Sequence, residues 1–212
     1  MPSLEIDHVI VAVDDLDRAA ARLSAASGLT VLAGGRHPGH GTGNMIVPLG
    51  TTYLELMAVV DREEAAGSIL GRFVTDRVAA GGGPMALCLR TDDIAAIAGE
   101  RAIELLAMGR RKPDGSELSW HLAGLDQAFG EERLPFFIEW HAAPGDHPAE
   151  TGVHHPGGAA ALERVVVGGS EARLHEWVGG AVLPIEVAAA PPGVLAAHLT
   201  IGGDPFVIWS RP

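Results

Sequence analysis

The chain predicts an α+β fold made of repeated β-α-β-β-β units, and three observations predict it. That order of elements runs over residues 5–60, recurs from residue 84, and can be traced a third time from residue 162. The first two copies open their helices alike, with Asp14-Asp15-Leu16 and Asp92-Asp93-Ile94. Two stretches of different character separate the copies: a helical connector over 61–83 and a Pro-, Gly- and His-rich loop over 142–160. The expected division is therefore a first unit over 1–60, the connector, a second unit over 84–141, the loop, and a third, βαβββ-like unit over 161–212.

In the first unit, residues 5–13 form a near-continuous β-rich run, which reads as a buried strand. Asp14 or Asp15 caps a helix whose apolar stripe is Leu16, Ala19, Ala20 and Leu23, and Gly28 ends it. A short strand is expected at 29–32, a glycine-rich loop from Gly34 to Asn44, and strands at 45–49 and 52–60 around a turn at Gly50-Thr51. In the connector, Ile69, Leu70, Phe73, Val74 and Val78 make an amphipathic helix that Gly81-Gly82-Gly83 breaks. The second unit has strands at 84–91, 105–109, 118–122 and 135–140. The third has a strand at 162–167, a helix at 172–178 capped by Ser170 and closed by Gly179-Gly180, and strands at 183–187, 194–201 and 206–209.

With 212 residues and 47% hydrophobic content the chain can bury a substantial core. Its net charge of −12 argues against a nucleic-acid or anionic-membrane partner. Cys88 is the single cysteine, which excludes a disulfide framework and fits a reducing cytoplasm. The start MPSLEIDHV lacks a basic segment and a long apolar stretch, so no signal peptide is expected, and no run of about 18 apolar residues predicts a membrane span.

Two polar residues interrupt runs that should be buried: His8 in the first strand and Glu55 in 52–60. Burying an ionisable group costs several kcal/mol unless it is paired, hydrogen-bonded or metal-bound, so the two point to a shared site. Imidazole with carboxylate suits Zn, Fe, Mn, Co or Ni better than Ca; a hydrogen-bonded His–Glu pair without metal is the alternative. In the glycine-rich loop, His40, Thr42 and Asn44 offer donors to a ligand oxygen, and a turn needing positive φ at its glycines is the alternative. The loop lacks the Lys-Ser/Thr ending of a P-loop. Glu139 aligns with Glu55 in one register and faces the other way after a one-residue slip. His121 is a candidate further nitrogen ligand, or a cleft or surface histidine. Trp120, Phe136, Phe137 and Trp140 are candidate pocket aromatics, Phe137 in particular because it shares a strand face with Glu139, or they belong to the core. His141, His147, His154 and His155 fit no zinc spacing and read as surface or lid residues.

A repeated βαβββ unit with a histidine in its first strand and a glutamate in its last resembles the vicinal-oxygen-chelate superfamily. More narrowly, LEIDHVIVAVDDLDRA, HPGHGTGNMIVPLGTTYLELMAV, LPFFIEW and the His155-Pro156 entry to the third unit resemble the glyoxalase-like domain family. The resemblance implies curved mixed sheets rolled into a barrel-like cleft, and a divalent metal held by His8 and Glu55, with Glu139 and His121 as further ligands. It also implies Glu139 or Glu55 as general base, a small-molecule ligand with vicinal oxygens, isomerase or lyase chemistry, and a homodimer. A metal-free binding protein of the bleomycin-resistance type is the alternative. The second and third units put Ala86 and Arg164 where the first has His8, so neither copy supplies a first-strand ligand.

Overall fold

The computed structural model describes residues 2–111, 117–143 and 145–209. The first unit comprises β1 (Glu5–Ala12), α1 (Leu16–Ser27), β2 (Leu32–His37), β3 (Thr42–Pro48) and β4 (Tyr53–Val59). The connector holds α2 (Arg62–Ala66) and α3 (Ile69–Ala79). The second unit comprises β5 (Gly83–Arg90), α4 (Ile94–Arg101), β6 (Leu105–Arg111), β7 (Glu117–Ala123), a short α5 (Leu125–Phe129) and β8 (Phe136–His141). A 3-10 turn at Pro148–Glu150 interrupts the loop. The last segment holds β9 (Ala160–Gly168), α6 (Glu171–Trp177), β10 (Ile185–Ala188), β11 (Gly193–Ile201) and β12 (Asp204–Trp209).

Local chemistry sets the helix ends. The Asp15 and Asp93 side chains accept from the Arg18 and Ala96 amides, and Gly28 closes α1 at φ 70°. The glycine-rich stretch from Gly34 is a β2–β3 hairpin with a four-residue tip, not a loop, because Leu32–His37 pairs with Thr42–Ile46 across a bulge at Gly34-Gly35. The α5 helix and the 3-10 turn carry no strong sequence signal.

Eight strands form one curled half-barrel sheet in the order β2-β3-β4-β1-β5-β8-β7-β6. In each unit the first strand runs parallel to the last, and the units join antiparallel across β1 and β5, so both first strands sit at the centre. The last segment repeats the order of elements but not the pairing. There β9 pairs in parallel with β10 and antiparallel with β11, in a separate sheet ordered β10-β9-β11-β12.

Alternation splits the core in two. On the convex face, Val9, Val11, Leu54, Leu87, Leu89 and Phe137 pack against α1, α4 and the small sheet. On the concave face, Ile10, Met57, Ala86, Cys88, Phe136 and Ile138 pack against Leu70, Phe73 and Val74 of α3 and Ala128 of α5. The connector thus fills one end of the concave face, and the loop around His147 covers the other, against Tyr53 and Trp140.

Candidate functional site

The site begins with one extra residue in β1. Pairing with β5 jumps from Ile6–Leu89 to His8–Cys88, so Asp7 has no partner of its own. Such a bulge turns two consecutive side chains to one face, and Asp7 and His8 both enter the concave side, 0% and 4% exposed.

Asp7 is the hub. Its Oδ1 lies 2.6 Å from His8 Nδ1, and its Oδ2 accepts from Trp140 Nε1 at 3.1 Å and from His147 Nε2 at 2.9 Å. His147 Nδ1 accepts the Ala149 amide, so its proton sits on Nε2, facing Asp7. Burial alone would push the Asp7 carboxyl up. Hydrogen bonds from His147 and His8 outweigh it and hold the group well below the usual carboxylate range. Asp7 is therefore ionised, and His8 donates Nδ1–H to it.

That donation fixes the histidine's other nitrogen. His8 Nε2, which presents a lone pair in the neutral ring, faces Glu55 Oε2 at 3.4 Å. The ring stacks on Tyr53 at 4.5 Å between centroids and meets the edge of Phe136 at 5.7 Å. Glu55 is 7% exposed. Its Oε1 accepts from Asn44 Nδ2 at 2.5 Å, and Asn44 Oδ1 accepts from the Gly35 amide at 2.6 Å. The β2 bulge makes this possible, since a Cβ on Gly34 would overlap the Asn44 amide oxygen.

On the more exposed side, His37 Nε2 lies 3.6 Å from Glu55 Oε1, and its Nδ1 lies 2.9 Å from the hydroxyl of buried Thr42. His40 Nδ1 lies 2.8 Å from Ser68 Oγ, which also accepts from the Gly71 amide. Burial, then the charge of His37, lowers the His40 pKa and favours its neutral form. Burial, then the carboxylates of Asp7 and Glu55, push the Tyr53 phenol and the Cys88 thiol well up, and both stay protonated.

A divalent cation can be tested against two donor sets. Asp7, His8 and Cys88 have ligand atoms within 4.8 Å of one another. They do not fit an open site: both Asp7 oxygens already accept hydrogen bonds, His8 Nδ1 is spent on Asp7, and all three residues are buried. His8 Nε2 with Glu55 does fit. Two acceptors face each other at 3.4 Å, an arrangement that calls for a cation or a proton between them.

The structure brings His8, Glu55 and Asn44 together and sets Thr42 and His40 beside them. It separates the remaining candidates. Cys88 pairs with Phe136, so Phe136, Ile138 and Trp140 turn to the concave face and Phe137 and Glu139 to the convex one. Glu139 Oε2 accepts the Ile94 amide at the start of α4. His121 pairs with Glu139 and lies 2.6 Å from His141 Nε2. Phe137 is fully buried against Trp177. Glu139, His121 and Phe137 therefore stand one residue out of register with the site. Trp120 does lie on the concave side, 5.2 Å from Trp140.

Asp7 and His37 are additions that sequence reasoning missed, and Trp140, a candidate wall aromatic, joins the site with Tyr53 and His147. Asp7 had a signal, a second charge beside His8 in an apolar run. His147 and His155, expected as surface or lid residues, are 7% and 9% exposed. Two surface cavities, beside Arg173 and Arg101, lie on the small-sheet side and not at His8.

A family model described as a glyoxalase-like domain matches residues 6–181. No curated protein matches the chain. Among solved structures, a hypothetical protein from Staphylococcus aureus aligns with a TM-score of 0.68 at 21% identity, over 97% of this chain and 98% of that one. A methylmalonyl-CoA epimerase from Mycobacterium tuberculosis aligns at 0.48 and 22% identity, over 66% of this chain and 89% of that one. A single-residue variant of the Streptomyces coelicolor methylmalonyl-CoA epimerase, in complex with 2-nitronate-propionyl-CoA, aligns at 0.49 and 20% identity, over 66% and 100%. The first of these shows that the fold extends over the whole chain.

Proposed function

The chain belongs to the glyoxalase-like domain family of the vicinal-oxygen-chelate superfamily, and on that footing we propose that it is a divalent-metal-assisted isomerase or lyase. Its substrate would be a small molecule with vicinal oxygens, and His8 and Glu55 would hold the cation. One observation carries the reading: Asp7 accepts a hydrogen bond from His8 Nδ1, which turns the ring's Nε2 toward a carboxylate oxygen at 3.4 Å. A carboxylate behind a ligating imidazole is the usual support for a metal-bound histidine.

A bound cation would polarise the substrate oxygens as a Lewis acid. The protein's own groups do the rest. Asp7 holds the His8 ring and its tautomer. Asn44 holds Glu55 through Oε1. Of the two carboxylates considered as general base, only Glu55 faces this side, and Glu139 is occupied at α4. His37, supported from behind by the buried Thr42 hydroxyl, and His40 lie on the more exposed side. The buried Cys88 thiol is consistent with a reducing, cytoplasmic setting, and no helix among the described residues is long and apolar enough to cross a membrane.

A metal-free small-molecule binder is the second reading. It is favoured by the second unit, which turns Phe136, Ile138 and Trp140 to the concave face in place of ligands. Chelator-stripped protein would be incubated with Zn(II), Ni(II), Mn(II), Fe(II) or Co(II), then assayed for bound metal and thermal midpoint beside His8→Ala and Glu55→Ala. The metalloenzyme reading expects near-stoichiometric metal in the parent and loss in both variants. No binding of any of the five ions by the parent would overturn it in favour of the binder.

A further inference from the structure

Resting on the reading that the concave face around His8 is the ligand site, we infer that residues 146–152 are a lid over it, latched by His147 on Asp7, and that small molecules enter where this lid lifts. Asp7, His8, Tyr53 and Glu55 are all buried, so a ligand reaches them only after a covering segment moves.

Two covers are present, and they are held differently. On the Glu55 side the cover is sheet and helix. β2 pairs with β3, the Val60 and Asp61 amides donate to the Gly41 carbonyl, Arg36 pairs with Asp61 and Glu64, and Gly71 abuts the His40 carbonyl. Lifting that side breaks strand pairing.

On the Asp7 side the cover is two side chains. His147 sets Nε2 2.9 Å from Asp7 Oδ2 and meets Tyr53 and Trp140 edge-on. Ala149 packs against Ile46 and Tyr53. These two are the buried residues of 145–152. The segment's own backbone bonds close within it: the Asp146 amide donates to the Ala143 carbonyl, the Glu150 amide to the His147 carbonyl, and the Gly145 amide to the Glu150 carboxylate. It can therefore lift as a unit. The chain is fixed on either side, at His141 by pairing with Ser119, and at His154-His155 by Thr30 and the Pro48 carbonyl. Such a segment, with few buried contacts between firm anchors, belongs to the low-stability end of a fold. Lifting it also removes a donor from Asp7, so the carboxylate behind His8 is fully engaged only when the lid is shut.

Cys88 reports the opening. It is the single cysteine, fully buried, and its sulfur lies within 4.8 Å of ligand atoms of Asp7 and His8. Full-length protein is labelled with methyl methanethiosulfonate at rising urea below the unfolding transition, and the adduct is followed by mass. Reaction through a lifted lid depends weakly on urea; reaction through global unfolding rises with the full unfolding slope. The inference expects the weak dependence in the parent. His147→Ala, which loses a hydrogen bond to an ionised carboxylate, should raise the low-urea rate about 10-fold or more. Ala149→Asp, which sets a charge under the lid without touching Asp7, should raise it too. The full slope in the parent from zero urea would overturn the inference, and so would an unchanged low-urea rate in either folded variant. Should His147→Ala fail to fold, Ala149→Asp decides. The labelling needs neither metal nor substrate, so failure of the lid and failure of the metal reading are told apart.

Discussion

Asp7 faces inward because β1 carries one residue more than β5 needs, and its position determines what His8 can do. The donors around it differ in freedom. Trp140 can only donate, and His147 is held as the Nε2–H tautomer by the Ala149 amide; both address Oδ2. In Asp7→Asn the amide oxygen must therefore take the Oδ2 place and the NH₂ the Oδ1 place, facing His8 Nδ1. His8 then accepts there, its proton moves to Nε2, and the lone pair opposite Glu55 is lost. The network stays satisfied, so the stability cost is that of exchanging charge-assisted for neutral hydrogen bonds, about 1–3 kcal/mol, while divalent-cation affinity falls more than about 10-fold. The stability difference should depend on pH. The Asp7 carboxyl is depressed in the fold from its ordinary 3.8, so its stabilisation is present above that value and fades as pH falls through and below it. Urea midpoints of parent and Asp7→Asn should differ most between pH 5 and 7, and the gap should begin to narrow below about pH 4 and go on shrinking at lower pH. A constant gap would show that the Asp7 charge is not the stabilising group. Little of this network is legible in the chain. The interruption of two apolar runs by His8 and Glu55 shows in composition alone, and period-2 alternation correctly sets Glu55 beside Tyr53 and Met57. The inward turn of Asp7 exists only in the pairing with β5, and the contact with His147 closes a loop of 140 residues.

At the scale of elements, the connector is where composition and contact part. Its amphipathic pattern predicts a helix, which forms as α2 and α3 around the Ser68 cap. What no pattern shows is that this pair wedges against the hairpin tip carrying His37 and His40. Gly71 marks the contact: a Cβ there would lie 2.5 Å from Ala65 Cα and 2.6 Å from the His40 carbonyl oxygen. In a free helix Gly→Ala gains about 1 kcal/mol. Here the clash is with backbone that cannot rotate away, so Gly71→Ala should destabilise by about 1–3 kcal/mol. It should also raise hydrogen exchange at residues 37–42. A higher thermal midpoint in Gly71→Ala would show that the connector yields. The β8 strand gives the matching lesson about register. LPFFIEW alternates whichever way it is read, so nothing inside it says whether Phe136 or Phe137 faces the site. The parallel pairing of Cys88 with Phe136 settles that, and it rests on the length of everything between them.

For the whole molecule, the two halves of the large sheet are alike in wiring and unlike in chemistry. The first unit provides the ionisable side chains around Glu55, and the second provides Phe136 and Trp140 as walls. The small sheet takes no part in that site and covers the convex face behind it. Val165, Val167, Val194, Leu199 and Ile201 pack on the layer of Val9, Val11, Leu87 and Leu89. Trp177 donates from Nε1 to the Pro135 carbonyl at 2.7 Å, and Arg101 donates to the Trp177 carbonyl at 2.8 Å. The loop leading to this sheet is pinned as well, since His155 accepts the Thr30 amide at Nδ1 and donates from Nε2 to the Pro48 carbonyl at 2.8 Å. A sheet whose two faces are both apolar cannot stand with one uncovered, because a contiguous exposed apolar face drives association. The full chain should therefore unfold in a single cooperative step, with calorimetric and van't Hoff enthalpies agreeing. A fragment of residues 1–159 should form no soluble monomer, although it contains every residue proposed to bind the cation. A monomeric 1–159 fragment on size exclusion, with the parent's cation affinity, would show that the convex layer holds without its cover. Aggregation of the fragment with one transition in the parent would make the small sheet the support on which the geometry of His8 depends.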